Sequence, residues 1–176
     1  MRAALALALA LALAVVLAAA AACGAPSSRA PEPLPAASAA PLPALEYPLR
    51  SGEPWRSRAA LGRVLVIDVW ATYCPPCRKA LPKLGRLAAA HPELVVIGIS
   101  VDEEDAAVEA FLREVPVAFP IARDPEVSLQ AGPLAIDRLP TLLVVDRRGR
   151  IRFRGEEMAE ADYDVLPGLV AALLAE

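Results

Sequence analysis

The chain has 176 residues and a formal net charge of −3, enough for one ordinary domain with extensions. The slight acidity supplies no basic footprint for nucleic acid. Only three cysteines occur, Cys23, Cys74 and Cys77, so one is left over after any pairing and needs its own explanation.

That explanation lies at the start of the chain. After Met1 and Arg2, residues 3–22 are an uncharged run of Ala, Leu and Val, about the length that spans a bilayer. A positive start, an apolar middle and small residues before a boundary make a secretory signal over 1–22. The boundary AAAC at 20–23 resembles a bacterial lipobox, in which the cysteine is lipidated and becomes the new N-terminus. Cys23 is then the lipidation site, although the usual bulky residue three places earlier is Ala20 here. The competing reading is an uncleaved membrane anchor with an incidental Cys23. Both readings put the remainder outside the cytoplasm and tethered to a membrane. Residues 23–44 are rich in Pro, Ala and Ser; such a segment cannot bury a core and reads as an extended or disordered stalk.

A folded domain is expected over 45–176. RVLVIDVW (63–70) is a continuous β-branched run, as for a strand buried on both faces. WATYCPPCRKALP (70–82) follows, leading into a helix that ends near His91 and Pro92. ELVVIGISVD (93–102) is a second buried strand. In 103–115, Ala107, Phe111 and Val115 share one helical face, and the acidic run DEED at 102–105 is expected to cap that helix. VAFPIARD supplies a short edge strand, and PEVSLQAG a short helix closed by Gly132. TLLVVDRRGRIRFRG (141–155) reads as a β-hairpin. The last stretch is a helix with Pro167 in its first turn. The order βα-βα-βα-ββα predicts an α/β fold: a mixed central sheet with helices on both faces. Chemistry belongs at strand C-termini, where Cys74 lies.

A zinc site needs four ligands; this chain offers one cysteine pair and one histidine, His91, at a predicted helix end. Haem attachment needs His after the second cysteine, and position 78 is Arg. No metal or other cofactor is expected. A purely structural disulfide across two residues closes too small a loop to stabilise much. Reversible chemistry suits the pair better. Cys74 at a helix N-terminus faces unpaired N–H groups and the positive dipole end, which favour the nucleophilic thiolate. Cys74 should attack a disulfide, and Cys77, one turn on and deeper, should resolve the mixed disulfide.

WATYCPPCRKALP resembles the active site of the thioredoxin superfamily, and most closely the membrane-tethered TlpA/ResA-like thiol–disulfide oxidoreductases. The resemblance covers 45–176 and implies a thioredoxin-like fold. It extends to RLPTLLVVDRRGRI (138–151), where it implies that the Leu139–Pro140 bond is cis, that Pro140 faces the cysteine pair, and that the N–H and carbonyl of Leu139 are free for an extended substrate. It implies a proton-relay role for Asp68 through Cys77; a buried acid in an apolar strand also has a raised pKa on physical grounds. Trp70, Tyr73, Leu139 and Thr141 are the expected substrate-side residues, and Pro82 matches a helix-kinking proline. One position departs from the pattern: the ResA-like branch often carries Glu three residues after the second cysteine, and Ala80 stands there.

Pro75 and Pro76 have no N–H, so they withdraw two donors from the Cys74 thiolate. Less stabilisation of the reduced form argues for a reductant. The resemblance implies disulfide-containing client proteins, a membrane electron donor of the DsbD/CcdA kind, and cytochrome c maturation as the best-known task. Two rivals remain. A thiol peroxidase places Thr three residues before the attacking cysteine, where Ala71 stands with Thr72 one residue off. A non-catalytic redox- or metal-binding lipoprotein is the other.

Overall fold

A computed structural model describes residues 31–176. The expected signal segment 1–22, the Cys23 lipidation site and the first part of the stalk lie outside the described residues. Among the described residues no helix is long and apolar enough to cross a membrane.

Among the described residues seven strands and four α-helices follow in chain order: β1 (Glu46–Pro48), β2 (Pro54–Arg56), β3 (Leu65–Trp70), α1 (Pro75–Ala90), β4 (Val95–Ser100), α2 (Asp105–Glu114), β5 (Ile121–Arg123), α3 (Ser128–Ala131), β6 (Thr141–Val145), β7 (Ile151–Glu156) and α4 (Leu166–Leu174). β1 and β2 form a separate antiparallel hairpin. The main sheet runs β5-β4-β3-β6-β7. β3 pairs parallel with β4, and β4 with β5. β6 is antiparallel to β3, and β7 to β6. The mixed α/β architecture is the expected one. Every residue of β3 and β6 is buried, so the sheet is covered on both faces, as apolar runs without alternation require.

α1 buries Cys77, Ala80, Leu81, Leu84 and Leu87, one stripe at helical spacing. Its first residues are Pro75 and Pro76, whose fixed φ suits a helix start. Pro82 sits inside the helix and removes the N–H that would bond the carbonyl four residues back. Trp70 lies fully buried at the end of β3, its ring 5.0 Å from that of Phe111 on α2. The room comes from Gly98 in β4, where a Cβ would lie 2.8 Å from Ile121 Cδ1 and 3.0 Å from Trp70 Nε1.

The Pro-rich stretch departs from the stalk expectation. Residues 34–42 are held along β7: Leu34 N–H donates to Arg152 O at 2.7 Å, Ile151 N–H to Ala40 O at 2.8 Å, and Leu42 N–H to Gly149 O at 2.8 Å. The Arg152 Nε–H donates to Leu34 O. Farther on, Leu49 bridges Ala122 and Arg50 N–H donates to Ile121 O at 3.0 Å. One strap therefore covers both outer strands. Composition misses this because the segment lends backbone groups to distant strands and buries little of its own. The β1–β2 hairpin goes unseen in the sequence for a related reason: each strand has three residues, too few for a period.

Gly98→Ala is expected to lower stability by about 1–3 kcal/mol through overpacking against Trp70 and Ile121, read as a fall in the urea midpoint at unchanged slope.

Candidate active site

β3 ends at Trp70, three residues cross over, and Cys74 takes the N-cap position of α1 with extended backbone angles, φ −97° and ψ 102°. Cys77 N–H donates to Cys74 O at 3.1 Å. The two cysteines are joined as a disulfide, with Cα atoms 5.4 Å apart. Their exposures differ: 6% for Cys74 and 0% for Cys77. Cys74 is thus the sulfur nearer to solvent, and Cys77 is enclosed by the helix stripe. Tyr73 beside them is 71% exposed.

The crossover is tied down from β4. Asp102, just past that strand, receives the Thr72 N–H at 3.0 Å and the Thr72 hydroxyl at 2.6 Å. The Ser100 hydroxyl donates at 2.9 Å to Oδ2, which also takes the Thr72 N–H. Arg123 Nη2 donates to the Asp102 carbonyl at 2.8 Å and pairs with Asp105 at 3.0 Å. The expected cap does lie within the DEED run, with Asp105 an acid in the first turn. The N-cap is Glu104, which makes no side-chain capping bond, while Asp102 fixes the loop two residues before Cys74. The sequence signal was an acid directly after a buried strand; its partner lies 30 residues away.

Asp68 is fully buried in β3. Tyr163 donates its hydroxyl to Oδ1 at 2.9 Å, and among the described residues Oδ2 has no partner. Burial pushes the Asp68 carboxyl up to about 7, with the Tyr163 hydrogen bond opposing part of the rise. The same burial and the facing carboxylate push Tyr163 up. Tyr163, 95 residues along from its partner, carries no local motif and was not legible in the sequence.

The Leu139–Pro140 bond is cis, as expected. Thr141 pairs with Val69, so the start of β6 lies beside the end of β3. Pro140 is buried, Leu139 half-buried. Among the described residues nothing bonds the Leu139 N–H or carbonyl. Two expected substrate-side residues do not fit that role. Trp70 is completely enclosed and packs rather than contacts. Thr141 is also enclosed, and its hydroxyl donates to the Arg138 carbonyl at 2.6 Å. The indole and the hydroxyl are turned inward because β3 and β6 are buried on both faces to their ends and offer no solvent side. His91 sits at the C-cap of α1 with Nδ1 3.5 Å from Glu93. Among the described residues no three His, Cys, Asp or Glu side chains converge as a metal site.

The AhpC/TSA family model matches residues 39–154. Among curated proteins, the chain is 28% identical over 103 residues to the thiol-disulfide oxidoreductase ResA of Bacillus cereus, covering 56% of this chain and 59% of that protein. It therefore spans just under three fifths of that relative's length. It is 27% identical over 123 residues to the soluble secreted antigen MPT53 of Mycobacterium tuberculosis, 70% of each. A solved thiol:disulfide interchange protein of the thioredoxin family from Chlorobium tepidum superposes with TM-score 0.64 at 23% identity, covering 77% of this chain and 97% of that one. The fold is thioredoxin-like.

Two outcomes follow from the buried acids. An ordinary carboxyl loses its proton near pH 4, while Asp68 in the folded chain keeps it to about 7. Between those values the folded state binds the proton that the unfolded state releases, so this group's contribution to stability falls as pH rises through the window and then levels. Urea denaturation should show a loss of roughly 2–3 kcal/mol between pH 5 and pH 8, and Asp68→Asn should flatten it. At the crossover, Asp102→Ala leaves two Thr72 donors unpaired and is expected to cost about 1–3 kcal/mol, whereas Thr72→Val removes one and costs less; thermal melts give the order.

Proposed function

Since the chain belongs to the AhpC/TSA family, we propose that it is an extracytoplasmic thiol–disulfide oxidoreductase whose working group is the Cys74–Cys77 pair. The observation that carries this reading is the disulfide itself: two cysteines bonded across one helical turn, one near the surface at a helix N-terminus and one enclosed. In the reduced state the Cys74 thiolate attacks a client disulfide and releases one client sulfur as a thiolate. Cys77 then loses its proton, attacks Sγ of Cys74 and releases the second client thiolate. Two electrons pass to the client and the internal disulfide re-forms. Asp68, enclosed with one open oxygen, is the group proposed to take the Cys77 proton. The unbonded peptide groups of Leu139 are proposed to pair with an extended client backbone, beside exposed Tyr73.

The direction is proposed to be reductive. Pro75 and Pro76 fill the first two helical positions and withdraw two N–H donors from Cys74, which leaves the thiolate less stabilised and the disulfide harder to reduce. Electrons then have to come from a donor dithiol on the membrane, of the DsbD/CcdA kind. Lipid attachment at Cys23 and a task such as cytochrome c maturation belong to the same proposal and rest on the N-terminal sequence and the family resemblance. An extracytoplasmic setting also accords with a secreted relative. The thiol-peroxidase alternative is disfavoured: Ala71 offers no hydroxyl, and that of Thr72 is taken by Asp102.

Two measurements test the reading. The protein should reduce insulin with a thiol donor, and Cys74→Ser should abolish it; residual turnover in that variant would sink the assignment. Equilibration in thiol buffers should give a reduction potential near about −270 mV, and a value near about −120 mV would make the protein an oxidant.

A further inference from the structure

An acid that exchanges a proton inside a core has to present one oxygen in one direction. A carboxyl in an apolar pocket can turn about its last bond and swap its two oxygens. In this chain the group is held in one orientation: the Tyr163 hydroxyl donates to one oxygen, Oδ1, at 2.9 Å, and the other, Oδ2, stays enclosed without a partner among the described residues. Tyr163 is itself 2% exposed and lies in a 3-10 turn, Glu160–Val165. Ala159 N–H closes that turn on Asp162 Oδ2 at 2.7 Å. Lys83 pins it to α1 by donating to Glu160 O at 2.8 Å and Asp164 Oδ1 at 2.6 Å. Lys83 and Cys77 stand on the same helix, so the turn that holds the acid is referenced to the helix that holds the resolving sulfur.

We propose that Tyr163 is a positioning residue for the proton step at Cys77, holding Asp68 by Oδ1 so that Oδ2 is the oxygen that exchanges the proton. The proposal rests on the reading of the pair as a thiol–disulfide exchange centre. When the mixed disulfide resolves, the Cys77 S–H proton passes to Oδ2, the Cys77 thiolate bonds to Sγ of Cys74, and the client sulfur leaves with its electron pair and is protonated from solvent. When the dithiol is regenerated, Asp68 returns the proton. The hydroxyl donates to the carboxylate and so favours the charged form. Burial of Asp68 opposes it and is the larger influence. From the strands beside β3, Gly98 and Leu142 oppose Asp68 and do not titrate. Around Tyr163 the titratable and charged groups among the described residues include Asp162 on its own turn, and Lys83, Arg86, His91 and Asp164, which line a surface cavity with it.

The test uses the full-length protein with labelled Asp carboxyl carbons, followed by NMR through a pH titration in the disulfide state, together with the pH profile of disulfide reduction. Tyr163→Phe keeps the ring and deletes the hydroxyl. The Asp68 midpoint is expected to move upward by about one pH unit, and the corresponding limb of the rate profile should move with it. In an Asp68→Asn background, Tyr163→Phe should add no further shift. Lys83→Met is the second variant: it frees the turn while leaving the hydroxyl, and should move the midpoint upward by less. An Asp68 midpoint that stays put in both variants overturns the role of Tyr163, even where Asp68→Asn still removes the limb. A profile that Asp68→Asn leaves unchanged instead overturns the underlying reading of Asp68 as the proton carrier.

Discussion

The rest of this structure depends on the complete burial of one strand. β3 is flanked by β4 and β6, and no residue from Leu65 to Trp70 reaches solvent. Apolar β-branched residues meet that condition at no cost. Asp68 and Trp70 do not, and each has called up a specific accommodation elsewhere in the chain. For Trp70 it is the missing side chain of Gly98. For Asp68 it is the hydroxyl of Tyr163. The strand then delivers Cys74 within four residues of its buried end, so its sulfur is anchored to the sheet centre.

Two enclosed aspartates bracket the cysteines, and they are treated oppositely. Asp102 receives the N–H and hydroxyl of Thr72 and the hydroxyl of Ser100, so its oxygens are occupied and it acts as a tie between two loop ends. Asp68 receives one donor and keeps one oxygen open. Burial without enough donors raises the energy of the charged form, and that is the state of a group suited to gain and lose a proton near neutrality. The number of donors, more than the depth of burial, separates these two acids.

What the sequence made legible was whatever is carried by neighbouring residues. The strand runs, the hairpin around Gly149 and the CPPC helix start all follow from local periods and turn chemistry, whereas α2 buries Val108, Phe111 and Leu112, leaves Ala107 half-buried and ends before Val115, so of its expected face only Phe111 lies buried within the helix. The suspicion attached to Asp68 was legible too, because an acid in an apolar strand is conspicuous. Tyr163 and Asp102 could not be read in the same way, since their meaning lies in partners 95 and 30 residues distant. Trp70 and Thr141 failed as substrate contacts for a related reason. Proximity to Cys74 and Pro140 along the chain is visible, but the direction of a side chain in a doubly covered sheet is not. The proline-rich strap misled by composition: a segment with no core of its own can still be ordered by lending its backbone to someone else's strand.

That strap has a bearing on how copies of the protein behave toward one another. An outer strand with free N–H and carbonyl groups is a template on which a second chain can build. Here β7 is covered by residues 34–42 and β5 by Leu49 and Arg50, so a single stretch of chain blunts both templates. The same economy concentrates the risk. Proteolysis or local fraying within that stretch would bare ladder groups at opposite edges of the sheet together, and each chain would then offer two templates, one at either edge, for strands of other copies.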